Sequence, residues 1–398
     1  MTTVRVPARA AGITLAQFDV LNTRAAELRA AGHDVISLGQ ALPRFGPPPA
    51  ALAAMRAAVD VPATHVYSAD AGLHTLREAL CARLNAEGAS VTPDDVIVTA
   101  GGNQAFMLAL MTLVDPGDEV LLPSPYFVNH QMAIAAFGAV AREVSLDERA
   151  GFALRWADLV PHVSSRTRAV VICTPSNPTG AIVPRAELAR IGHELAARGI
   201  VLFSDETYGR FVYDGAFPSV AALPSWRENA VVVSTFSKTF GMTGWRAGYL
   251  LAAPHVCDQA IKIQDAMIIC APVPSQVGVE AAIRESWDYP AAFMPELVAR
   301  RAQLARGLQD IPRLHWTSQA GTLSGGFFAL VRVDGCRDSA ALATEILDRA
   351  HVVTIPGATF GSAGEGFLRL SYSAVSDDDL GRALGRLRTF FGRPEGRG

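Results

Sequence analysis

The sequence predicts an α/β protein with a mostly parallel sheet, helices on both faces of that sheet, and a smaller α+β part. The first observation is length, since 398 residues exceed what one hydrophobic core usually serves. The second is composition, because 50% of the residues are hydrophobic and 18% are charged, as in a densely packed chain. The third is a regular alternation of short β-rich runs and helical runs between about residues 70 and 255.

The alternating region contains six predicted buried strands. Each is a short run rich in branched apolar residues, and helical patterns separate the runs. One such pattern has Leu188, Ile191 and Leu195 on one face and stops at Gly199, directly before a strand. The six strands are predicted at Val96–Thr99, Glu119–Leu122, Ala169–Cys173, Ile200–Ser204, Val231–Thr235 and Gly248–Leu251.

A different pattern flanks this region on both sides. Before it, an amphipathic helix is predicted over residues 15–31, with Thr14 as N-cap, Gly32 as the stop, and an apolar face of Leu15, Phe18, Leu21 and Leu28. After Pro290 the sequence predicts helices at 291–309, at Ser339–Arg349 and at the C-terminus, and strands at Phe327–Val333, His351–Ile355 and Leu368–Tyr372. We therefore expect a large domain at residues 50–290 and a small domain formed by residues 1–49 and 291–398.

Charge and cysteine content exclude several classes of function. The net charge of −3 and the pI near 6.3, without long single-sign runs, predict neither nucleic-acid nor membrane partners. The longest apolar run, Ala105–Val114, is too short for a bilayer, and the region after Met1 lacks the pattern of a leader. Five scattered cysteines without CxxC indicate a cytoplasmic protein with reduced thiols. The histidines lack metal-site spacing, so no metal ion is predicted.

Polar residues that follow predicted strands are the candidates for a site, because open α/β sheets bind ligands at the carboxyl ends of their strands. Lys238 stands in a run of small hydroxyl residues, and Lys262 is the other lysine of the chain. A lysine whose pKa is lowered by desolvation and nearby cations is nucleophilic enough to form an imine. Thr235, Ser237 and Arg246 together suit a phosphate dianion. A surface lysine in a Ser/Thr loop is the alternative interpretation of the run.

Two further strand ends carry groups that suit a pyridine ring. Asp205 can pair with a protonated ring nitrogen, and Tyr208, three residues later, can donate to a phenolate oxygen of the ring. Asn177, in an Asn-Pro-Thr-Gly run, can donate to the same oxygen. A helix N-cap at Asp205 and a plain turn at Asn177 are the alternatives.

A glycine turn precedes a helix predicted to begin near Gln104. Gly101, Gly102 and Asn103 lie in this turn, where backbone N–H groups and the helix N-terminus favour an anion. The spacing is not GxGxxG, so a dinucleotide fold has no fingerprint. A glycine turn without a ligand stays open as the alternative.

Aromatic residues follow the strand predicted at Glu119–Leu122. Tyr126 and Phe127 suit stacking on a planar cofactor, and His130 suits support of Asp205. Packing in the core is the alternative for either aromatic ring.

The order and spacing of these motifs resemble the class I/II aminotransferases of pyridoxal 5′-phosphate (PLP) fold type I, which are aspartate aminotransferase-like, over nearly the whole chain. The resemblance implies a seven-stranded sheet in the large domain. It also implies PLP-dependent transfer of an amino group between an L-α-amino acid and a 2-oxo acid by a ping-pong mechanism. The motifs that carry it are Gly101-Gly-Asn, Tyr126-Phe-Val-Asn-His, Asn177-Pro-Thr-Gly, Asp205-Glu-Thr-Tyr, Ser237-Lys-Thr, Arg246 and the arginine of Phe367-Leu-Arg-Leu-Ser.

The resemblance also implies a role for each cofactor-binding residue. Lys238 holds PLP as an aldimine and then moves the proton of the substrate Cα. Asp205 keeps the pyridine nitrogen protonated, while Asn177 and Tyr208 hold the ring oxygen. Phe127 stacks on the ring, with Tyr126 as the second choice. The phosphate end is implied for Gly101, Gly102, Asn103, Thr235, Ser237 and Arg246.

Three more residues are implied for the substrate and the partner subunit. Arg369 resembles the arginine that clamps the substrate α-carboxylate, a task for a bidentate guanidinium, and a surface ion pair is its alternative. Tyr67 resembles the tyrosine that reaches a neighbouring subunit's phosphate, which implies a homodimer with shared active sites. The family usually has Gly-Glu-Pro-Asp-Phe where this chain has Ala41-Leu-Pro-Arg-Phe. Ala41 is therefore expected in the substrate pocket beside Asn177, and Arg44 in solvent.

We therefore expect a cytoplasmic, PLP-dependent aminotransferase of amino acid metabolism. The apolar stretch Ala266–Ala271 favours neutral or aromatic donors over acidic ones. The same catalytic residues would serve a fold type I lyase, synthase or oxidase, because they set up a carbanion without deciding its fate. A ligand-sensing regulatory module is a further alternative, but the short N-terminal segment supplies one clear helix and no basic recognition face.

Overall fold

The computed structural model describes residues 4–13, 17–316 and 324–392. In these ranges the helices are α1 Ala8–Ala11, α2 Phe18–Ala30, α3 Pro49–Val59, α4 His74–Ala86, α5 Gly102–Leu113, α6 Val128–Phe137, α7 Trp156–Leu159, α8 Arg185–Ala196, α9 Trp226–Asn229, α10 Phe236–Thr239, α11 Pro254–Ile268, α12 Val273–Glu285, α13 Met294–Gln309, α14 Ser339–Ala350 and α15 Asp377–Phe391. The strands are β1 Ile36–Ser37, β2 Val96–Thr99, β3 Glu119–Ser124, β4 Val140–Ser145, β5 Thr167–Cys173, β6 Val201–Asp205, β7 Ala230–Thr235, β8 Gly248–Leu251, β9 Leu314–Trp316, β10 Phe328–Val333, β11 Val352–Val353, β12 Ile355–Pro356 and β13 Phe367–Ser371.

The larger sheet has seven strands in the order β2-β8-β7-β6-β5-β3-β4. Strands β4, β3, β5, β6 and β7 pair in parallel. Strand β8 runs antiparallel to both of its neighbours, β7 and β2. The predicted mostly parallel, seven-stranded sheet is confirmed.

The predicted strand boundaries agree closely with the observed ones. Strands β2 and β8 have the predicted limits, β5 begins two residues earlier at Thr167, and β3 continues for two residues to Ser124. The sequence analysis missed β4, which lies at one edge of the sheet. Its side chains are exposed or half-buried, except for the buried Val144. An edge strand with such a polar pattern lacks the apolar run that identifies a buried strand.

Side chains of the central strands alternate between two hydrophobic cores. On one face, Val170, Leu202 and Val232 pack in a core that also contains residues of α4, α8 and α12. On the other face, the following residues of the same strands pack in a core with residues of α5, α6 and α11; they are Val171, Phe203 and Val233. Helices therefore cover both faces of the sheet, as predicted.

A second, antiparallel sheet has the order β12-β13-β10-β9. Its core joins residues of α2, near the N-terminus, to residues of α13, α14 and α15. The predicted single strand His351–Ile355 is two short strands, of which β11 pairs with β1 and β12 pairs with β13. Helix α2 ends before Gly32, whose φ of 91° is the left-handed value that favours glycine. Thr14 and Leu15 lie outside the described residues, and the domain limits at 49/50 and 290/291 stay predictions.

The carboxyl ends of the central strands lie at one edge of the large sheet. Cys173, the last residue of β5, is level with Asp205, the last residue of β6, and Asp205 is level with Val233 of β7. Thr235, at the end of β7, is level with Gly248 at the start of β8. The antiparallel direction of β8 therefore brings the chain segment before it to this same edge. Within the described ranges no helix combines the length and apolar character needed to cross a bilayer.

Candidate active site

A cavity of about 640 Å³ opens at this edge of the sheet. Its walls come from the ends of β5, β6 and β7, from α5 and α6, from the start of α2, from the segment after β1, and from β13. Twelve of the predicted site residues line it: Ala41, Gly102, Asn103, Phe127, Asn177, Asp205, Tyr208, Thr235, Ser237, Lys238, Arg246 and Arg369. The chain thus brings together residues that are up to about 330 positions apart in sequence.

Lys238 lies in the short helix α10, which follows β7 directly. The helix begins where the Thr235 hydroxyl accepts a hydrogen bond from the backbone N–H of Ser237 at 3.1 Å. Burial, together with the positive charges of Arg369 and Arg246, lowers the pKa of Lys238 to about 8. A substantial share of Lys238 is therefore the neutral, nucleophilic amine at neutral to mildly alkaline pH.

One end of the cavity is built to hold an anion. The N-terminus of α5 opens there at Gly102, and the hydroxyls of Thr235 and Ser237 lie 2.8 Å apart beside it. Gly101 has a φ of 85°, and the Arg246 guanidinium occupies the space that a Cβ on this residue would need. Arg246 donates to the carbonyl oxygens of Thr243 at 2.9 Å and Ala100 at 3.3 Å.

Asp205 and His130 form a buried pair in the cavity wall. The Nε2 atom of His130 lies 2.9 Å from Oδ2 of Asp205, and the backbone N–H of Thr207 donates to Oδ1 at 3.0 Å. Burial alone would raise the pKa of Asp205, but the hydrogen bonds and charge of His130 and the hydrogen bonds from Thr207 hold it below its usual value. The predicted support of Asp205 by His130 is present, and Phe127 lies edge-on to the His130 ring at 5.3 Å.

Arg369, on β13 of the second sheet, is hydrogen-bonded to Asn177 in the cavity wall. Arg369 is 2% exposed, and its Nη1 atom donates to Oδ1 of Asn177 at 3.0 Å. Its Nη2 atom donates to the Gly39 carbonyl oxygen, whereas its buried Nε atom has no hydrogen-bond partner among the described residues. Burial lowers the pKa of Arg369 to about 10. The residue is thus a buried cation in the cavity wall, not the surface ion pair named as the alternative.

Four residues and one stretch considered in the sequence analysis lie outside the cavity lining. Gly101 lies behind Arg246, and the hydroxyl of Tyr126 donates to Oε1 of Glu143 at 2.7 Å, away from the cavity. Tyr67 is 75% exposed. Arg44 is half-exposed, with Nη1 3.9 Å from Oε1 of Glu296, as expected for a residue in solvent. The fifth case is the apolar stretch Ala266–Ala271, two of whose side chains, Met267 and Ile268, are exposed.

The sequence comparison decides the family. A sequence model of the family Aminotransferase class I and II matches residues 33–387. The chain belongs to this family. The aminotransferase is 34% identical to a probable aspartate/prephenate aminotransferase of Aquifex aeolicus, over 92% of this chain and 94% of that protein. It is also 33% identical to aromatic-amino-acid aminotransferase 2 of Thermococcus litoralis, over 89% of this chain and 90% of that one.

Solved structures show the same relationship. The Thermus thermophilus aspartate aminotransferase, solved as a single mutant, superposes with a TM-score of 0.89 and is 30% identical. The match covers 97% of this chain and 100% of that chain. The fold and the enzyme class of this aminotransferase therefore agree with the sequence-based expectation.

The cavity of the aminotransferase also contains residues that the sequence analysis did not assign to the site. On α6, Asn129, Met132, Ala133 and Ala136 recur at helical spacing and face the cavity. The remaining unassigned residues include Ile13, Phe18, Gln40, Leu42, Phe106, Met107, Cys173, Thr207 and Thr243. The spacing on α6 is a signal of one shared face, but it does not distinguish a cavity wall from a core-facing surface.

Proposed function

We propose that this aminotransferase binds PLP in the cavity and transfers amino groups between L-α-amino acids and 2-oxo acids through Lys238. The observation that carries the proposal is the environment of Lys238. Its pKa is lowered to about 8 in a cavity that also contains Asp205, Arg246 and Arg369. An amine so placed reacts readily with an aldehyde, and the family is one that generally depends on PLP.

The phosphate end of the cavity fits a dianion. Arg246 supplies a full positive charge, the α5 N-terminus supplies backbone N–H groups and a partial positive charge, and Thr235 and Ser237 supply hydroxyl donors. Gly101 lacks the side chain that would displace the Arg246 guanidinium. We assign the phosphate of PLP to these groups together with Gly102 and Asn103.

The ring end fits a pyridinium with a phenolate oxygen. Asp205, kept ionised by His130 and Thr207, is the counter-charge for the protonated ring nitrogen. Phe127 is assigned to the face of the ring, and Asn177 and Tyr208 to its oxygen. Burial raises the pKa of Tyr208, so its hydroxyl stays protonated and able to donate.

The remaining groups act on the substrate. When bound, PLP supplies an electron sink for the charge that develops at the substrate Cα. Arg369 holds the α-carboxylate, since its buried Nε atom has no partner in the part of the chain that the structure describes, and Asn177 orients its guanidinium. Ala41 lines the same pocket. Lys238 would take the proton from the substrate Cα and deliver it to the carbon on the other side of the imine nitrogen, so that one amine would serve both proton transfers of each half of the ping-pong reaction.

Further proposals concern the assembly and its location. We propose a homodimer in which Tyr67 reaches the partner's phosphate site, because this tyrosine is 75% exposed in the single chain. We also propose that the enzyme acts in amino acid metabolism in the cytoplasm, where its five unpaired cysteines would stay reduced. The large domain would comprise residues 50–290, and residues 1–49 and 291–398 would form the small one.

The decisive test compares the two lysines of the chain. Protein with PLP is treated with borohydride and analysed by mass spectrometry, and amino transfer is measured with a panel of donors. We expect PLP on the Lys238 peptide, full activity in Lys262→Ala, and neither labelling nor turnover in Lys238→Ala. Labelling of Lys238→Ala at another residue would refute the assignment.

The products separate transfer from the other reactions of such sites. A single turnover without acceptor is expected to release one 2-oxo acid per site while the cofactor keeps the amino group. Release of a β-leaving group would indicate a lyase, and consumption of oxygen an oxidase.

Mixed dimers test the sharing of sites. Lys238→Ala and Tyr67→Ala subunits, each of low activity alone, are expected to regain activity when co-expressed, because one site of the hybrid has both native residues. Additive activity of the two variants would contradict the shared site.

A further inference from the structure

We infer that the unassigned part of the cavity is an apolar side-chain pocket that selects donors with neutral aliphatic or aromatic side chains. The inference rests on the proposed function and extends it to the substrate class. Its lining residues are Phe18 and Leu42, from α2 and the segment after β1, together with Met107, Met132 and Ala136, from α5 and α6. We call this set the apolar pocket.

The cations that line the cavity in one chain all have an assigned role, so none of them is left for an acidic substrate side chain. Among the described lining residues the cations are Lys238, Arg246 and Arg369, and the proposed function uses all three. His130 is bound to Asp205. Among the described residues of one subunit, a carboxylate on the substrate side chain would therefore meet no unassigned cation, and its burial there would be unfavourable.

The apolar pocket begins directly beside the carboxylate clamp. The guanidinium of Arg369 lies 5.1 Å from the centroid of the Phe18 ring and donates to the Gly39 carbonyl oxygen. Three residues after Gly39, Leu42 is fixed because its carbonyl oxygen accepts a hydrogen bond from the Ser373 hydroxyl at 2.7 Å. A substrate held by Arg369 therefore has apolar side chains next to its Cα.

The cation nearest in sequence to Leu42 does not line the cavity. Arg44 lies two residues after Leu42 but does not line the cavity, and its Nη1 atom is 3.9 Å from Glu296. Glu296 in turn accepts a hydrogen bond from the buried Arg300 at 2.5 Å. Arg44 is thus directed towards Glu296 of α13 and does not line the cavity.

The lining residues from α5 and α6 present apolar surface that the single chain does not cover. Met107, Met132 and Ala136 are each half-buried although apolar, because they face the cavity. Methionine side chains are flexible and adapt to ligands of different shape. The whole cavity measures about 640 Å³, within the range of small-molecule sites, and the apolar pocket shares this volume with the part assigned to PLP.

The first experiment measures single-turnover rates of the PLP-loaded wild-type enzyme with leucine, methionine, phenylalanine, aspartate and glutamate. No acceptor is present, so only the donor varies. We expect the second-order rate constant of this half-reaction to be about 100-fold or more higher for the apolar donors than for the acidic ones, because an unpaired buried charge discriminates at least as strongly as the roughly 10–200-fold of one misplaced methylene. A preference for aspartate or glutamate would overturn the inference and leave the proposed function intact. Failure of every donor on PLP-loaded enzyme would instead refute the proposed function.

The second experiment places a cation in the apolar pocket. Leu42→Arg is expected to lower the ratio of phenylalanine to glutamate reactivity by at least about tenfold. Val298→Arg, at an exposed position of α13, adds the same charge elsewhere and is expected to leave the ratio unchanged. If Leu42→Arg folds and binds PLP but keeps the wild-type ratio, Leu42 does not face the substrate side chain. If Leu42→Arg fails to fold, Met132→Gln tests the part of the pocket that α6 lines. We expect this variant to prefer apolar donors less strongly than the wild type does. An unchanged preference would contradict the pocket.

Discussion

Replacement of Glu206 by glutamine is expected to stabilise the aminotransferase above pH 7. Glu206 follows Asp205 at the end of β6 and is 8% exposed. Its Oε1 atom accepts hydrogen bonds from the backbone N–H of Val220 at 2.8 Å and from the Ser204 hydroxyl at 3.1 Å. Its Oε2 atom accepts one from the Ser219 hydroxyl at 2.7 Å. Burial outweighs these bonds and raises the pKa of Glu206 from 4.5 to about 7.

The size of the effect follows from this pKa. A rise of about 2.5 pH units corresponds to about 3 kcal/mol, at 1.36 kcal/mol per unit. Between pH 4.5 and 7 the folded protein binds more protons at Glu206 than the unfolded chain, so stability falls as the pH rises through this window. The penalty is complete above pH 7. Glutamine removes the charge, keeps an acceptor for Val220 and Ser204, and can donate its amide N–H to the Ser219 oxygen.

The assay is equilibrium urea unfolding of PLP-loaded protein at pH 5 and pH 8. Glu206→Gln is expected to be close to wild type at pH 5 and up to about 3 kcal/mol more stable at pH 8. Glu285→Gln, which removes a charge at an exposed site of α12, is the control for the change in net charge. Equal stability of Glu206→Gln and wild type at pH 8, after correction by this control, would show that the buried carboxyl carries no titration penalty.

Three further predictions concern the cofactor and the substrate. Arg369→Lys is expected to lower kcat/KM for every donor by about 10- to 100-fold, because one charged hydrogen bond contributes roughly 1.5–3 kcal/mol. A change confined to kcat would argue against a role of Arg369 in substrate binding. The rate of PLP uptake by the apoenzyme is expected to rise with pH around a midpoint of about 8, because the neutral amine of Lys238 attacks the aldehyde; a flat profile from pH 6.5 to 9.5 would contradict this. Gly101→Ala is expected to weaken PLP binding by at least about tenfold by displacing Arg246, whereas Gly88→Ala, with a φ of 94° and no atom within 4 Å of the added Cβ, shares the backbone strain without the displacement. Equal PLP affinity of the two variants would refute the role of Arg246.

The sequence predicted the centre of the sheet well because burial there is complete. Strands β2, β7 and β8 consist of buried residues throughout, and such apolar runs have no other favourable environment. The polar residues directly after them were identifiable as site candidates by position alone. The sequence did not predict β4 because half of the side chains of this edge strand are exposed to solvent, so it lacks a continuous apolar run.

The walls of the cavity were harder to predict than its reactive groups. A lysine, aspartate or arginine at a strand end is conspicuous, but Met132 and Phe18 look like any apolar residue of a helix face. Whether such a residue meets a core or a cavity depends on helix placement across the whole fold. The choice between Tyr126 and Phe127 was hard to predict for the same reason. The two residues are adjacent, but Phe127 lines the cavity whereas Tyr126 is hydrogen-bonded to Glu143.

The reversed direction of β8 has a consequence for how the site tolerates change. Residues 236–247 form one connection between β7 and β8, and both ends of it are fixed by the pairing of Thr235 with Gly248. This short connection carries both Lys238 and Arg246, so the separation of amine and guanidinium depends on local chain length and not on the docking of distant elements. Insertions elsewhere in the protein can leave that separation intact, whereas a single residue added between positions 239 and 245 would displace one group relative to the other while the sheet stayed paired.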